Sequence, residues 1–170
     1  MNALYQASLS FTSQNTGARK TDRIVPVLVR CLGCVVVIGI GLSSLILLFG
    51  KQLLGIYSVD PQVIEYGLGR LSVICFTYFL CGVMEVVCGS IRGLGYSVTP
   101  TIVSLTGACG LRILWIYTVF AMNRTLFILY LSYPISWLLT IAAHFVCFIL
   151  FFRRWIKNIE IRDHESSAIL

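Results

Sequence analysis

The chain has 170 residues, of which 58% are apolar and only 12% are charged, and its formal net charge is +6 at pH 7. Soluble domains carry about a quarter charged residues, so this chain holds roughly half the usual share. These proportions exclude a soluble globular protein, a disordered chain and a nucleic-acid-binding module.

No charged residue falls within 31–50, 71–84, 93–111 or 125–152. An uncharged apolar stretch of about 18 residues or more is long enough to cross about 30 Å of hydrocarbon as a helix. The predicted fold class is therefore an all-α integral membrane protein with four complete transmembrane helices and an N-terminal helix stub.

The predicted stub occupies residues 1–12, and its rise of about 18 Å is too short to cross a bilayer. We therefore interpret it as the end of a longer span. A polar connector follows, from Ser13 to Arg23. The first complete span is predicted at about 25–49, with Pro26 near the first helical turn, where proline is tolerated.

The connector at 51–64 contains an aspartate, Asp60, followed directly by Pro61. This pair is typical of an N-cap carboxylate and a proline at the first helical position. The second complete span is therefore predicted just after it, at about 65–91.

A tight turn separates the second span from the third, with Thr99 as the predicted cap and Pro100 as the opening residue. The very short connector 123–125 joins the last two spans. The third span is predicted at about 99–122 and the fourth at about 126–152. A basic tail follows at 153–170.

Lysine and arginine are distributed unevenly between the two ends of the predicted spans. One side carries Arg19, Lys20, Arg23, Arg30, Arg92, Arg153, Arg154, Lys157 and Arg162. The other side carries Lys51, Arg70 and Arg124. Since basic flanks resist translocation, the sequence predicts that the first side, which includes the C-terminal tail, is cytoplasmic.

The seven cysteines all lie within or at the ends of apolar stretches, where they behave as small hydrophobic residues. Cys31 and Cys34 have the spacing of a redox or zinc pair, but a structural zinc site needs four ligands and no second pair follows nearby. No metal site is predicted. The chain also has no paired catalytic carboxylates, nucleophile motif or phosphate-binding glycine loop, so we do not expect an enzyme.

Two short segments carry the most distinctive residues of the chain. The first contains Gln14, Asn15, Gly17 and Ala18, and the second contains Arg92, Gly93, Gly95 and Pro100. In this order and at this separation, they resemble the C-terminal half of multidrug and toxic compound extrusion (MATE) transporters. That family carries a Q-N-x-G-A-like segment after the second helix of each six-helix lobe, and an R-G-x-G…P segment between the fourth and fifth helices.

The resemblance implies that residues 1–152 form part of one six-helix lobe of a twelve-helix antiporter. The stub corresponds to the end of helix eight, and the four spans correspond to helices nine to twelve. It also implies a protein of the plasma (inner) membrane that exports small cationic or amphipathic compounds in exchange for Na⁺ or H⁺, with no other cofactor.

The partners implied by the resemblance are membrane lipid and an N-terminal lobe that this chain lacks. Transporters bind their substrate between structurally repeated halves. We therefore expect this chain to be a truncated part that does not transport alone.

Five residues of the second span share one narrow face at 100° per residue, namely Tyr78, Cys81, Glu85, Cys88 and Arg92. Ionisable groups at membrane depth are costly and mark either ion pathways or structural pairs. Some branches of the family carry a functional acid at the position of Cys81, one turn before Glu85. Glu85 is thus either a coupling acid or a structural acid, and Tyr78 and Cys81 are candidates for the same substrate and ion pathway.

Two further polar residues lie deep within predicted spans. Arg112 lies near mid-membrane and is predicted to be structural, paired with a carboxylate or with helix-end carbonyls. His144 lies at about the depth of Glu85 and is another pathway candidate. Either it is a packed, hydrogen-bonded core residue, which is the favoured interpretation, or it relays protons.

Two alternatives to a multidrug antiporter remain open from the sequence. A lipid-linked saccharide flippase of the same superfamily would also have basic loops and glycine-rich spans, although the single deep arginine disfavours a large polar cavity. A membrane fragment that transports nothing is the other alternative.

Overall fold

The computed structural model describes residues 1–57, 60–122 and 124–169, with side chains described as far as residue 161. The described residues form six helices, which are α1 (Asn2–Gly17), α2 (Thr21–Leu48), α3 (Gly50–Tyr57), α4 (Pro61–Gly93), α5 (Val98–Phe120) and α6 (Leu126–Ile169). Within the described residues, α2, α4, α5 and the part of α6 up to Ile161 are long and apolar enough to cross a membrane. The predicted fold class, an all-α membrane protein, is confirmed.

Helix α4 lies at the centre of the bundle and packs against α1, α2 and α6. Helix α2 faces it with a stripe of buried residues at Ile24, Leu28, Cys31 and Val35. Their spacing of three or four residues places them on one side of an α-helix, as burial of a single face requires. The core cluster is completed by Val86, Val87 and Ile91 of α4 and Phe148 of α6.

The contact between α1 and α4 is unusually close because α4 presents glycines to it. A Cβ atom added to Gly89 would lie 2.8 Å from the carbonyl oxygen of Tyr5. One added to Gly93 would lie 2.7 Å from the Cβ of Thr12. The backbones can approach this closely only because no side chain intervenes, which is how membrane helices gain van der Waals contact.

A hydroxyl pair fixes the rotation of α1 against α4. Ser8 is fully buried, and its hydroxyl donates to the carbonyl of Val86 at 2.9 Å. It also shares a hydrogen bond of 2.8 Å with Ser90. A polar contact of this kind stabilises helix association in lipid, where water offers no alternative partner.

The connection between α1 and α2 is shorter than the predicted connector Ser13–Arg23, because most of those residues are helical. The side chain of Asn15 donates to the carbonyl of Phe11 at 2.7 Å, and that of Thr16 donates to the carbonyl of Thr12 at 2.7 Å. These polar side chains bond to their own helix instead of ending it.

Helix α1 ends in a Schellman-type cap. The N–H of Arg19 donates to the carbonyl of Thr16 at 3.2 Å, and that of Lys20 donates to the carbonyl of Asn15 at 3.0 Å. This pattern requires a left-handed residue after the helix, usually glycine. Here Arg19 takes that conformation, with φ of 55°.

The predicted connector 51–64 contains the short helix α3 and the first turn of α4. Asp60 is the N-cap of α4, accepting a hydrogen bond of 2.9 Å from the backbone N–H of Gln62, and Pro61 follows at the first helical position. The cap is therefore confirmed, although the helix begins directly after it and earlier than the predicted start at about 65. Three residues of the predicted connectors, Ser58, Val59 and Asn123, lie outside the described residues.

The bounds of α5 and α6 also differ from the predicted ones. Helix α5 begins at Val98 with Ser97 as its N-cap, so Thr99 and Pro100 both lie within its first turn. Helix α6 continues beyond 152 as far as Ile169, through most of the predicted tail. The basic segment that begins at Arg153 contains no glycine or proline that would end a helix.

We expect Gly89→Ala to lower the free energy of unfolding by about 1–3 kcal/mol, because the new methyl group would press against the backbone of α1. Thermal unfolding in detergent micelles, followed by circular dichroism, measures this change. The matched control is Gly69→Ala in the same helix, where an added Cβ meets nothing within 4 Å. Equal stability of the two variants would contradict a close contact between α1 and α4.

Candidate functional site

A polar cavity of about 210 Å³ lies between α1, α4 and α5. Its lining includes Asn2, Tyr5, Glu85, Cys88, Arg92 and Ser104. We call it the Glu85 cavity. It collects three residues of the predicted α4 face and adds side chains from two other helices.

Glu85 is the acidic side chain of this cavity. Its Oε2 atom is buried and has no hydrogen-bond partner in the described part of the chain. Buried polar atoms are nearly always hydrogen-bonded, so an unpartnered carboxylate oxygen at membrane depth is a candidate for a functional role. Chemically, a carboxylate in this position can accept a proton or supply an oxygen ligand to a small cation.

Arg92 holds the end of the Glu85 cavity in place. Its Nη1 atom donates to the hydroxyl of Tyr5 at 2.7 Å, and its Nη2 atom donates to the hydroxyl of Thr101 at 2.8 Å. The guanidinium carbon also lies 5.8 Å from the centre of the Tyr5 ring. A single side chain therefore joins α1, α4 and α5, and its planar fork fixes their relative positions.

Glu85 and Arg92 line the same cavity, but Glu85 has no ion-pair partner among the residues that the structure describes. Arg92 lies seven residues further along α4, about 10 Å away along the helix axis. Glu85 forms no ion pair with it or with Arg112 among the described residues. A structural ion pair between Glu85 and Arg112, the nearest predicted charge at membrane depth, is therefore not observed.

The other residues of the second motif shape the turn after α4. Gly93 allows the close approach of Thr12, as described above. Gly95 has φ of +96°, a conformation that L side chains rarely adopt. Pro100 is buried, and its carbonyl oxygen lies 3.3 Å from Nε2 of His144.

The first motif lies at the opposite end of α1 from the Glu85 cavity. Gln14, Asn15 and Gly17 form the last turn of α1, and the N–H of Ala18 donates to the carbonyl of Gln14 at 3.0 Å. Tyr5, which lines the cavity, is nine residues before Gln14, about 13 Å along the helix. This motif therefore shapes the α1–α2 connection, and it does not line the cavity.

His144 is fully buried between α5 and α6. Its Nδ1 atom lies 2.9 Å from the carbonyl of Thr140, and its Nε2 atom lies 3.3 Å from the hydroxyl of Ser104. In a neutral imidazole Nδ1–H donates to that carbonyl, and the Ser104 hydroxyl donates to Nε2. Ser104 thus connects His144 to the Glu85 cavity, a role that no sequence pattern indicated.

Arg112 has partners other than the predicted ones. Its Nε atom donates to the hydroxyl of Ser136 at 3.2 Å. Its guanidinium carbon lies 4.3 Å from the centre of the Tyr133 ring and 5.6 Å from that of Trp137. These three partners lie on one face of α6, at i, i+3 and i+4, and aromatic faces attract a guanidinium. The predicted carboxylate or carbonyl partner is replaced by a hydroxyl and two rings.

The remaining two pathway candidates lie outside the Glu85 cavity. Tyr78 lines a mainly apolar cavity of about 250 Å³ between α2 and α4, together with Gly39 and Cys75. Its ring contacts Trp137 edge-on, with centroids 6.4 Å apart. Cys81 is half-buried and lines neither cavity. The predicted face is thus divided between two cavities, of which one is polar and one is apolar.

The chain is similar to the "Probable multidrug resistance protein YoeA" of Bacillus subtilis (strain 168), with 24% identity over 103 residues. That match covers 61% of this chain and 22% of the relative, so the chain spans about a fifth of the relative's length. The sequence model of the MatE family matches residues 1–118, a range that includes both motifs and the whole Glu85 cavity. Because this match covers more than half of the chain, the chain belongs to the MatE transporter family.

Proposed function

We propose that the chain forms part of a secondary active transporter that exports small cationic or amphipathic compounds by antiport with H⁺ or Na⁺. Membership of the MatE family supports transport in general, and the name of the Bacillus relative refers to multidrug resistance. The observation that carries the proposal is the half-buried Glu85 side chain, whose buried Oε2 atom has no hydrogen-bond partner among the described residues.

In the proposed mechanism Glu85 holds the coupling ion. The carboxylate binds a proton or a sodium ion from one side of the membrane and releases it to the other. The Arg92 guanidinium, held by Tyr5 and Thr101, keeps a positive charge at the end of the same cavity. This charge repels a bound cation across a poorly screened interior, and so it assists release.

Ser104 and His144 offer a route for protons beyond the cavity. A hydroxyl and an imidazole nitrogen 3.3 Å apart can pass a proton from one to the other. They cannot pass a sodium ion in this way. Loss of proton-driven transport alone on substitution of His144 would therefore identify the proton as the coupling ion.

The proposed transporter needs two further components. Substrate sites of such transporters lie between repeated halves, so we propose that this lobe works with a second one. The relative is much longer than the matched region, which supports this arrangement. Membrane lipid of the plasma (inner) membrane would cover exposed apolar side chains such as Val37, Leu48 and Phe76.

We expect Glu85→Gln to abolish ion-driven efflux of an ethidium-like cation, because the amide cannot bind a proton or neutralise a sodium ion. The amount of folded protein should stay near normal, since Glu85 has no ion-pair partner among the described residues. Efflux is measured in membrane vesicles that contain the complete transporter to which this chain contributes.

The matched control for this variant is Glu65→Gln, because Glu65 is exposed in the same helix. It should leave efflux unchanged. Normal efflux in Glu85→Gln, with the same dependence on pH and sodium, would remove Glu85 from the mechanism. Loss of folded protein in Glu85→Gln alone would instead assign it a structural role.

A second variant, His144→Asn, tests the proton route. The shorter amide can still donate to the nearby helix carbonyl but has no group in the position of Nε2, so proton-driven efflux should fall while sodium-driven efflux is retained. Efflux is measured in the same vesicles under a pH gradient and under a sodium gradient. An equal loss under both gradients would indicate a packing role for His144.

We also propose that the C-terminal end of α6 is cytoplasmic and that α3 lies on the opposite side of the membrane. The asymmetry of lysine and arginine supports this orientation. In a background with the exposed Cys34 and Cys109 replaced by serine, Tyr57→Cys should react with an impermeant thiol reagent added outside intact cells. Lys157→Cys should react only after the cells are opened.

Both introduced positions are exposed, so a lack of labelling reports the membrane barrier and not burial in the protein. The background protein without either new cysteine gives the signal from the five remaining thiols. Labelling of position 157 from outside, with position 57 protected, would reverse the proposed orientation.

A further inference from the structure

A groove of about 310 Å³ lies between α1 and α2. It is lined by Leu4, Ala7 and Phe11 of α1 and by Val27, Arg30, Cys31 and Cys34 of α2. We call it the Arg30 groove. Its lining is mainly apolar, and Arg30 is the one charged side chain among these lining residues. The groove shares no lining residue with the Glu85 cavity.

Arg30 lies at the edge of the hydrocarbon. The uncharged stretch that follows it, 31–50, contains twenty residues, most of which belong to α2. As a helix this stretch rises by about 30 Å, which equals the thickness of the hydrocarbon core. Arg30 therefore lies at one boundary of the hydrocarbon, and Lys51 lies at the other.

The guanidinium of Arg30 is available to a ligand. The side chain is exposed, and it forms no hydrogen bond, ion pair or ring contact with any residue that the structure describes. Asp22, the one acidic residue of α2, is eight residues earlier, about 12 Å along the helix. An unpaired charge beside hydrocarbon is costly, which favours an anion from outside the chain as its partner.

The groove leads from Arg30 towards the membrane interior. Three residues join α1 to α2, and Met1 at the start of α1 lies against Gly39 of α2, so the two helices run antiparallel. Cys34 is about 6 Å further along α2 than Arg30, inside the hydrocarbon. Because α1 runs the opposite way, Leu4 lies at the same deep end of the groove. A charge at headgroup depth is thus followed by an apolar wall within the bilayer.

We propose that the Arg30 groove binds an anionic phospholipid, with the headgroup phosphate on Arg30 and an acyl chain along the apolar wall. A guanidinium matches the oxygen pair of a phosphate with two parallel hydrogen bonds. Basic pockets between membrane helices at headgroup depth recognise anionic lipids through the same chemistry. A zwitterionic lipid carries an ammonium group beside its phosphate, and Arg30 would repel that group. The proposal rests only on the membrane-spanning fold, and it does not depend on the proposed transport function.

The test uses the full chain in neutral detergent micelles and measures bound lipid by native mass spectrometry. Dioleoyl phosphatidylglycerol should bind in preference to dioleoyl phosphatidylcholine. Arg30→Gln should lower the affinity for phosphatidylglycerol about tenfold, because the charge-assisted hydrogen bonds are lost. The midpoint of thermal unfolding without lipid should not change, since Arg30 has no partner in the described part of the chain.

The matched control is Arg23→Gln, because Arg23 is exposed in the same helix and does not line the groove. It should keep the preference for phosphatidylglycerol. Equal loss of that preference in Arg23→Gln and Arg30→Gln would indicate a general attraction to positive charge, and it would overturn the proposal.

A second variant, Ala7→Phe, keeps the charge of Arg30 and fills the space along the apolar wall. It should weaken the binding of phosphatidylglycerol on its own, so it decides the question where Arg30→Gln fails to fold. Undiminished binding of phosphatidylglycerol in Arg30→Gln or in Ala7→Phe would overturn the proposed site.

Discussion

The close approach of α1 to α4 is the constraint on which the rest of the structure depends. Gly89 and Gly93 remove the side chains that would hold the two backbones apart, and Ser8 then fixes their rotation through hydrogen bonds to α4. Only at this separation does the Tyr5 hydroxyl reach the guanidinium of Arg92. The shape of the Glu85 cavity therefore depends on Gly89 and Gly93, which do not line it, as well as on the polar residues that do.

The second family motif has a physical explanation in which each residue acts on a different contact. Arg92 ties three helices together, and Gly93 permits the contact with α1. Gly95 supplies the left-handed turn, and the carbonyl oxygen of Pro100 lies 3.3 Å from Nε2 of His144. The result is a rigid corner at one end of the cavity. A rigid corner would suit the ion binding and release that we propose for Glu85.

The sequence was sufficient to predict the four membrane-spanning helices, but it was insufficient to predict the side-chain contacts of the candidate site. Long uncharged stretches predicted the four spans, and Asp60 predicted a cap that the structure contains. The partners of Arg112 could not be predicted, because face assignments at 100° per residue assume an unbroken α-helix. A π-helical segment, Leu105–Gly110, precedes Arg112 and rotates it relative to the first turns of α5. The bond between Ser104 and His144 joins residues forty positions apart, a distance at which local patterns carry no information.

The length of α6 has a geometric consequence for any change in the tilt of the last span. The helix continues for seventeen residues after Phe152, which extends it by about 25 Å beyond its uncharged stretch. If the span tilts, a continuous helix rotates as one rigid rod about the point where it leaves the bilayer. A change of about 10° in the tilt of the span would sweep the far end through about 4 Å, on the basis of that length. A small rearrangement around His144 that tilts the span would thus displace the C-terminal end of α6 by several ångströms, and a molecule bound to that end would be displaced with it.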